Sequence, residues 1–373
     1  MSTYRERFAL TLEHRDVDRP PMDLDATDMT GIDGGPRRLA PLLDIRPGGS
    51  PEETDEAVLA ALDIDIRDVG GILVPEGTQE RRVSETERID AWGIGYRWNG
   101  HHFEAVSRPL AGATLDDLER YPWPEADSMD RRRIDRLTET ARYLCERTPY
   151  VVCARHPVFG VLELGLWMCG YDEFFLRMAA EPEFVRRFFD IVWAYQRRVV
   201  EIYYGALGPY VHFTTSGDDF GEQRGPLISP AMFREMVLPY LEKRIRLIAS
   251  YTDAAFFHHS CGSIREIIPD LIRAGVRILN PIQPRARGME PDGLKRDFGA
   301  ELVFYGGVDT QELLPSGTPG EVEAETRRLI GVLGRQGGYV LSAAHTLQED
   351  VPAANVLAMY RAARGPTSRR ASP

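Results

Sequence analysis

Phe256-Phe257-His258-His259-Ser260-Cys261-Gly262 reads as a buried strand running into a turn. Alternate side chains of a strand point the same way, so His259 and Cys261 share one face while His258 and Ser260 share the other. An imidazole and a thiolate two residues apart at a strand end can grip one metal ion, and zinc accepts that nitrogen and sulfur mixture. A His-x-Cys pair also arises by chance, and a free cysteine is often only a small buried hydrophobe. The choice between these readings turns on whether the stretch is one of a series, each a buried strand ending in a polar loop.

Outward in both directions the pattern repeats. Upstream, Tyr150-Val-Val-Cys-Ala154 ends at Arg155-His156, and Tyr210-Val-His-Phe-Thr214 ends at Ser216-Gly-Asp-Asp-Phe-Gly-Glu-Gln223. Downstream, Val276-Arg-Ile-Leu279 ends at Asn280-Pro-Ile-Gln283, Leu302-Val-Phe-Tyr305 at Gly306-Gly-Val-Asp309, and Tyr339-Val-Leu341 at Ala344-His345-Thr-Leu-Gln348. Near the front, Pro21-Met-Asp-Leu-Asp-Ala-Thr27 alternates apolar and acidic residues, and Asp63-Ile-Asp-Ile-Arg-Asp-Val69 follows a helix at 51–62. Helical patterns at 129–147, 160–180, 182–205, 230–250, 264–274, 293–298, 319–335 and 352–364 fill the gaps between and after the later strands. Ser50-Pro-Glu-Glu53 and Thr318-Pro-Gly-Glu321 supply helix starts with proline in the first turn and glutamate at the capping-box position. Eight strands, mostly separated by helices, predict a parallel sheet closed into a (β/α)8 TIM barrel. An open doubly wound sheet would usually show a Gly-x-Gly-x-x-Gly turn after its first strand, and none is present. The expected organisation is a single domain over 1–365, opened by a charged amphipathic helix over 1–19. A Gly/Pro/Arg-rich loop or lid follows at 28–50, with a β-hairpin excursion at 76–107 turning at Asn99-Gly100 and a flexible tail at 366–373.

The 373 residues, 43% of them hydrophobic, suit a soluble globular chain, and the length admits one barrel of roughly 250 residues plus insertions. A net charge of -12 without a basic patch argues against a nucleic-acid partner. No apolar run approaches the roughly 20 residues of a membrane span. Four scattered cysteines make no disulfide framework, so a reducing cytoplasm is expected.

In such barrels the strand ends on the C-terminal side carry the chemistry, and the loops there converge on one mouth. His345 can therefore meet His259 and Cys261, giving three protein ligands and an open position, the pattern of catalytic zinc. A capping or substrate-contacting histidine is the other reading of His345. Adjacent Asp218 and Asp219 are costly to bury without a cation or hydrogen bonds, and a split role is expected, one structural and one lining the site. Both are candidate catalytic groups, with His156. Glu163, in apolar surroundings, needs a partner: a fourth zinc position, a substrate contact or a salt bridge with Arg155. Asp25, Gln223, Asn280, Gln283 and Asp309 complete the substrate-binding candidates with Glu163. The Gly306-Gly307-x-Asp309 corner suits close backbone approach to a ligand or tight packing.

Taken together the chain resembles the uroporphyrinogen decarboxylase superfamily, and within it the corrinoid-dependent methyltransferases. The likeness is carried by Arg5-x-Arg7, Asp18-Arg-Pro20, Tyr121-Pro-Trp-Pro124, Gly170-Tyr-Asp172, Asp218-Asp-x-Gly-x-Gln223, His259-Ser-Cys-Gly-Ser263, Asn280-Pro-Ile-Gln283, Gly306-Gly-Val-Asp309 and Asp350-Val-Pro352. The resemblance implies the eight-stranded barrel and zinc held by a His-x-Cys pair with a distant cysteine, where this chain has His345. It also implies a corrinoid as methyl carrier. The chain has no Asp-x-His-x-x-Gly, so the corrinoid (methylcobalamin) is expected on a separate partner protein. The superfamily's decarboxylases hold substrate propionates with an Arg-Gln-x-Gly-Arg stretch after the first strand. Here the region reads Asp23-Leu-Asp-Ala-Thr27, wrong for a substrate with many carboxylates.

The leading expectation is a cytoplasmic, zinc-dependent methyltransferase acting on a small thiol, hydroxyl or methoxy compound, with homodimer formation possible. The alternative is a metal-independent decarboxylase or C–C lyase of a small carboxylate, carried by Arg155, His156 and Asp219. A third reading is a catalytically silent protein that docks a corrinoid module.

Overall fold

The computed structural model describes residues 2–76, 80–100 and 103–364. Seven parallel strands form one continuous sheet: Ile66–Gly70, Val151–Arg155, Phe213–Thr214, Ala255–His259, Ile278–Asn280, Val303–Tyr305 and Tyr339–Val340. Residues 21–23 supply the eighth position and close the ring. Met22 bridges Leu341 in parallel, Leu341 N–H donates to the Pro21 carbonyl at 2.8 Å, and Asp65 N–H donates to the Met22 carbonyl at 3.0 Å. The TIM-barrel expectation holds, with the first strand shorter than its sequence suggested. Alternation through Thr27 predicts Asp23 and Asp25 on one face of a longer strand, but the backbone turns at Asp25, whose φ is +71°.

The interior is packed by inward residues of all seven strands. Ile66, Val151, Cys153, Phe213, Phe257, Ile278, Val303, Tyr305 and Val340 are buried together with Phe8 of the first helix, Tyr4–Leu12. The Phe8 ring centre lies 5.3 Å from that of Phe213, so that helix plugs the N-terminal end of the barrel. Its polar flank is fixed by charge: Arg7 Nε lies 2.8 Å from Asp18 Oδ1, and Arg5 donates to the carbonyls of Leu144, Thr148 and Tyr150.

Both predicted capping boxes form, before Pro51–Ala61 and Pro319–Leu333. The helix expected over 160–180 is two, Val161–Cys169 and Tyr171–Ala180, broken at Gly170. Pro239 has no N–H for a regular helix, and the chain expected as one helix over 230–250 passes through a wider π turn at Phe233–Val237 just before it.

The excursion is larger than a hairpin. It is a four-stranded antiparallel sheet of Arg81–Arg82, Glu87–Ile89, Gly95–Trp98 and Phe103–Ser107. Between the second and third of these strands the chain turns at Asp90, whose carboxylate accepts from the amides of Trp92 and Ile94. His102 and the 366–373 tail lie outside the described residues. No helix among the described residues is long and apolar enough to cross a membrane.

Candidate metal centre

The strand Ala255–His259 ends on His259, and the next four residues make the turn that the pair requires. Gly262 has φ +80°, and a Cβ there would lie 2.5 Å from the Gly221 backbone, so only glycine lets the two loops cross. Cys261 then comes back beside its neighbour, with Sγ 3.3 Å from His259 Nε2. His345, in the loop after the last strand, stands with its ring centre 5.6 Å from that of His259. One ligand atom from each of His259, Cys261 and His345 lies within 4.8 Å of the others. Around tetrahedral zinc, bonds of about 2.0 Å to nitrogen and 2.3 Å to sulfur put those atoms ~3.5 Å apart. The His259–Cys261 separation already matches this, and the two-nitrogen, one-sulfur donor set fits zinc.

Neighbouring groups fix both ligands of the pair. Asn280 Nδ2 donates to the Tyr305 carbonyl at 3.1 Å, which turns Oδ1 toward His259 Nδ1, 2.6 Å away. The proton is thereby assigned to Nδ1, and Nε2 keeps its lone pair on the side facing Cys261. Gln283 Oε1 accepts from Gly262 N–H at 2.8 Å, so its Nε2 faces Cys261 Sγ at 3.4 Å. Asp219 Oδ1 accepts from Cys261 N–H at 2.7 Å and lies 3.7 Å from His259 Nε2. Burial holds His345 down to about 4 and lowers His259 too, so both imidazoles are neutral, the form a metal needs. Burial, then the carboxylates of Asp219 and Glu163, pushes the Cys261 thiol far up, a state that a bound cation reverses.

The structure separates the remaining candidates. Asn280 and Gln283, expected to bind substrate, stand against His259 and Cys261. Asp218, expected to be catalytic, is buried against the backbone of a neighbouring helix. It accepts from the Leu162 and Glu163 amides at 3.2 and 2.8 Å and caps the helix Val161–Cys169. Gly160 makes room for it, since a Cβ there would sit 2.0 Å from the Asp218 carboxyl carbon. Asp309, expected to bind substrate, accepts from the amides of Gln311, Glu312 and Leu313 and pairs with Arg285 Nε at 2.7 Å. Gln223 is exposed, and its carbonyl accepts from Arg287 N–H. Glu163 makes no salt bridge with Arg155; its carboxylate takes the Asp219 N–H and, through burial and then the charges of Asp219 and Asp218, is pushed well up. Arg155 pairs with Asp68 at 2.8 Å and Asp28 at 3.3 Å. His156 Nδ1 lies 3.3 Å from Asp28 and 3.1 Å from Thr215 Oγ1. Asp25 stands by the same arginine, and burial raises its carboxyl to about 7 despite the Arg155 charge.

Asp28 and Arg244 escaped the sequence reading. Asp28 lies in a stretch that reads as loop. Arg244, buried, donates to Ser216 Oγ at 2.9 Å and to the Phe159 carbonyl at 3.2 Å beneath His156 and His258. Its position among Leu241, Ile245 and Ile248, on the apolar stripe of its helix, is a signal that could have found it.

Fold and site together define an eight-stranded α/β barrel with a two-histidine, one-cysteine cluster at its C-terminal mouth. The chain belongs to the uroporphyrinogen decarboxylase (URO-D) family, whose model matches residues 90–365. Among solved structures it is similar to a methyltransferase from Methanosarcina mazei, at 16% identity and a TM-score of 0.62 over 97% of this chain and 98% of that one. An endo-1,4-beta-xylanase from Penicillium canescens is similar at 9% identity and a TM-score of 0.37, over 63% of this chain and 81% of that one, too distant to bear on function. No curated protein matches the sequence.

Proposed function

We propose that the protein is a zinc-dependent methyltransferase. It would move a methyl group between a small thiol, hydroxyl or methoxy substrate and a corrinoid held by a partner protein. The observation that carries the reading is the meeting of His259, Cys261 and His345 within 4.8 Å, from loops 84 residues apart (345 minus 261), at the rim where barrels of this kind do their chemistry. Family membership and the fold shared with a methyltransferase support it. Zinc at such a site lowers the pKa of a bound thiol or hydroxyl, or polarises a methyl ether. His259, Cys261 and His345 would hold it. Asn280 keeps His259 in the tautomer that offers Nε2, and Gln283 donates to the sulfur. Asp219 and Glu163 line the side next to Cys261 and would meet the substrate or complete the ligand set. His156 and Asp25 stand across the mouth with Asp28, where substrate would pass.

The lyase alternative needs Arg155 free to hold a substrate carboxylate. Its pairing with Asp28 and Asp68 favours methyl transfer. Residues 1–365 are read as one domain, since Trp92 and Ile94 of the excursion belong to the same hydrophobic cluster as the helices round the barrel. A cytoplasmic setting accords with the free Cys145, Cys153, Cys169 and Cys261.

Elemental analysis of the purified protein tests the reading. About one zinc per chain is expected, as for a single three-ligand catalytic site. Cys261→Ser and His345→Ala are expected to lose both the metal and methyl transfer to or from a methylcobalamin-loaded corrinoid protein. A wild-type protein without stoichiometric metal, together with a fully active Cys261→Ser, would end the proposal.

A further inference from the structure

We propose that a cationic cleft at the opposite end of the barrel binds a small, multiply charged anion of the phosphate class through Lys295 and Arg335. The cleft has a volume of about 1050 Å³ and is lined by His14, Arg15, Asp16, Lys295, Arg296 and Arg335 among others. It lies where the chain leaves the first helix, beside the helices Pro291–Phe298 and Pro319–Leu333 and just before the strand Tyr339–Val340 begins. His345 follows the far end of that strand, so cleft and metal centre occupy opposite rims. The volume is that of a ligand pocket, but the lining is charged where most such pockets are apolar.

The charges within it do not cancel. Four lining cations, Arg15, Lys295, Arg296 and Arg335, face two acids: Asp16, which keeps its charge while accepting from Gln336 N–H at 3.0 Å, and Asp292, which pairs with Arg328 at 3.0 Å. Arg296 is held by Asp297 at 2.7 Å, and Arg15 by Glu13 at 3.2 Å. Lys295 gives one of its three donors to the Gly337 carbonyl, at 2.8 Å, and has no carboxylate partner among the described residues. Arg335 has none either, and it is close enough that its charge, after burial, lowers the Lys295 ammonium. Two cations on one cleft with no carboxylate held between them repel each other, and a bound anion relieves that repulsion. Behind two of the lining residues, His14 and Lys295, Gly338 presents only backbone. A Cβ on Gly338 would lie 2.7 Å from His14 Nδ1 and 3.4 Å from Lys295 Nζ, and His14 Nδ1 has no hydrogen-bond partner among the described residues. An anion in the cleft would take the fork of Arg335 and the free donors of Lys295 in charge-assisted hydrogen bonds.

Titration calorimetry at low ionic strength, with inorganic pyrophosphate as the probe, tests this on the intact protein. One saturable site is expected, weakened about tenfold by Lys295→Gln and by Arg335→Gln and further by added salt. Arg335 is exposed, so its variant keeps the test decisive should Lys295→Gln fold poorly. In a second arm, ADP that displaces pyrophosphate places nucleotides in the ligand class, and ADP that does not confines the class to inorganic phosphates. Absence of saturable binding to the wild type, or undiminished binding to Arg335→Gln and the double variant, would overturn the proposal. Zinc content is expected to be unchanged in all variants, which separates this test from that of the metal centre.

Discussion

Asn280 is not one of the three cluster residues, yet it decides what His259 can offer. Its amide is fixed at one end by the Tyr305 carbonyl, so its oxygen must accept from Nδ1. An imidazole free to carry its proton on Nε2 would present a hydrogen to the metal position instead of a lone pair. Removing a partner of this kind typically costs 10–100-fold in metal affinity. Asn280→Ala is therefore expected to weaken zinc binding by about that factor, read by competition with a chromogenic chelator, while the helical circular dichroism stays native. Unaltered affinity would mean that packing alone holds the ring. Sequence reasoning placed Asn280 and Gln283 at the mouth because polar residues follow a strand there. It could not assign them to the ligands, because the pairing across neighbouring strand ends is set by register, and Asn280 faces His259 only once the two strands are aligned.

The helix Val161–Cys169 shows the same division between elements. It begins at Gly160 with no side-chain cap of its own, and a carboxylate 58 positions along the chain (218 minus 160) supplies the missing acceptor. Asp218 is fully enclosed, and burial, which outweighs the Leu162 and Glu163 amides and the Arg244 charge, raises it to about 6. The tandem acids thus face different ways: one ties a helix to the next strand-end loop and the other turns to Cys261. Asp218→Ala is expected to lower unfolding stability by about 1–2 kcal/mol in denaturant titration, the usual loss for an N-terminal cap, and to leave zinc content intact. Loss of metal at unchanged stability would instead place Asp218 among the ligands. The element pattern itself was legible: eight buried runs, each ending in polar residues, are what a parallel barrel imposes on its strands. Where the elements departed from it, at Asp25, Gly170 and the π turn before Pro239, the cause is a local backbone demand that hydrophobic periodicity does not encode.

At the scale of the molecule the barrel has one end for chemistry and one for holding together. The mouth gathers groups that are costly to bury, including Asp25, Glu163, Asp219 and the two cluster histidines, and a stable scaffold must offset them elsewhere. Part of the offset lies at the far end, where Phe8 enters the ring and meets Phe213, which in turn stacks near Phe257 and Tyr305. The first helix reads as charged and amphipathic from its sequence, and only closure of the barrel reveals that one aromatic side chain is its anchor. Phe8→Ala would leave a cavity among residues that cannot collapse into it, because strand pairing fixes their backbones. A loss of about 3–5 kcal/mol is expected in urea unfolding, since Phe8 is 2% exposed. Zinc stoichiometry and methyl transfer, measured well below the melting temperature, are expected to stay at wild-type values, because the aromatic layers of Phe213, Phe257 and Tyr305 stand between Phe8 and the mouth. Native stability in that variant would show that the plug is dispensable. A fall in metal content with stability preserved would show that the two ends are coupled through the barrel interior rather than built independently.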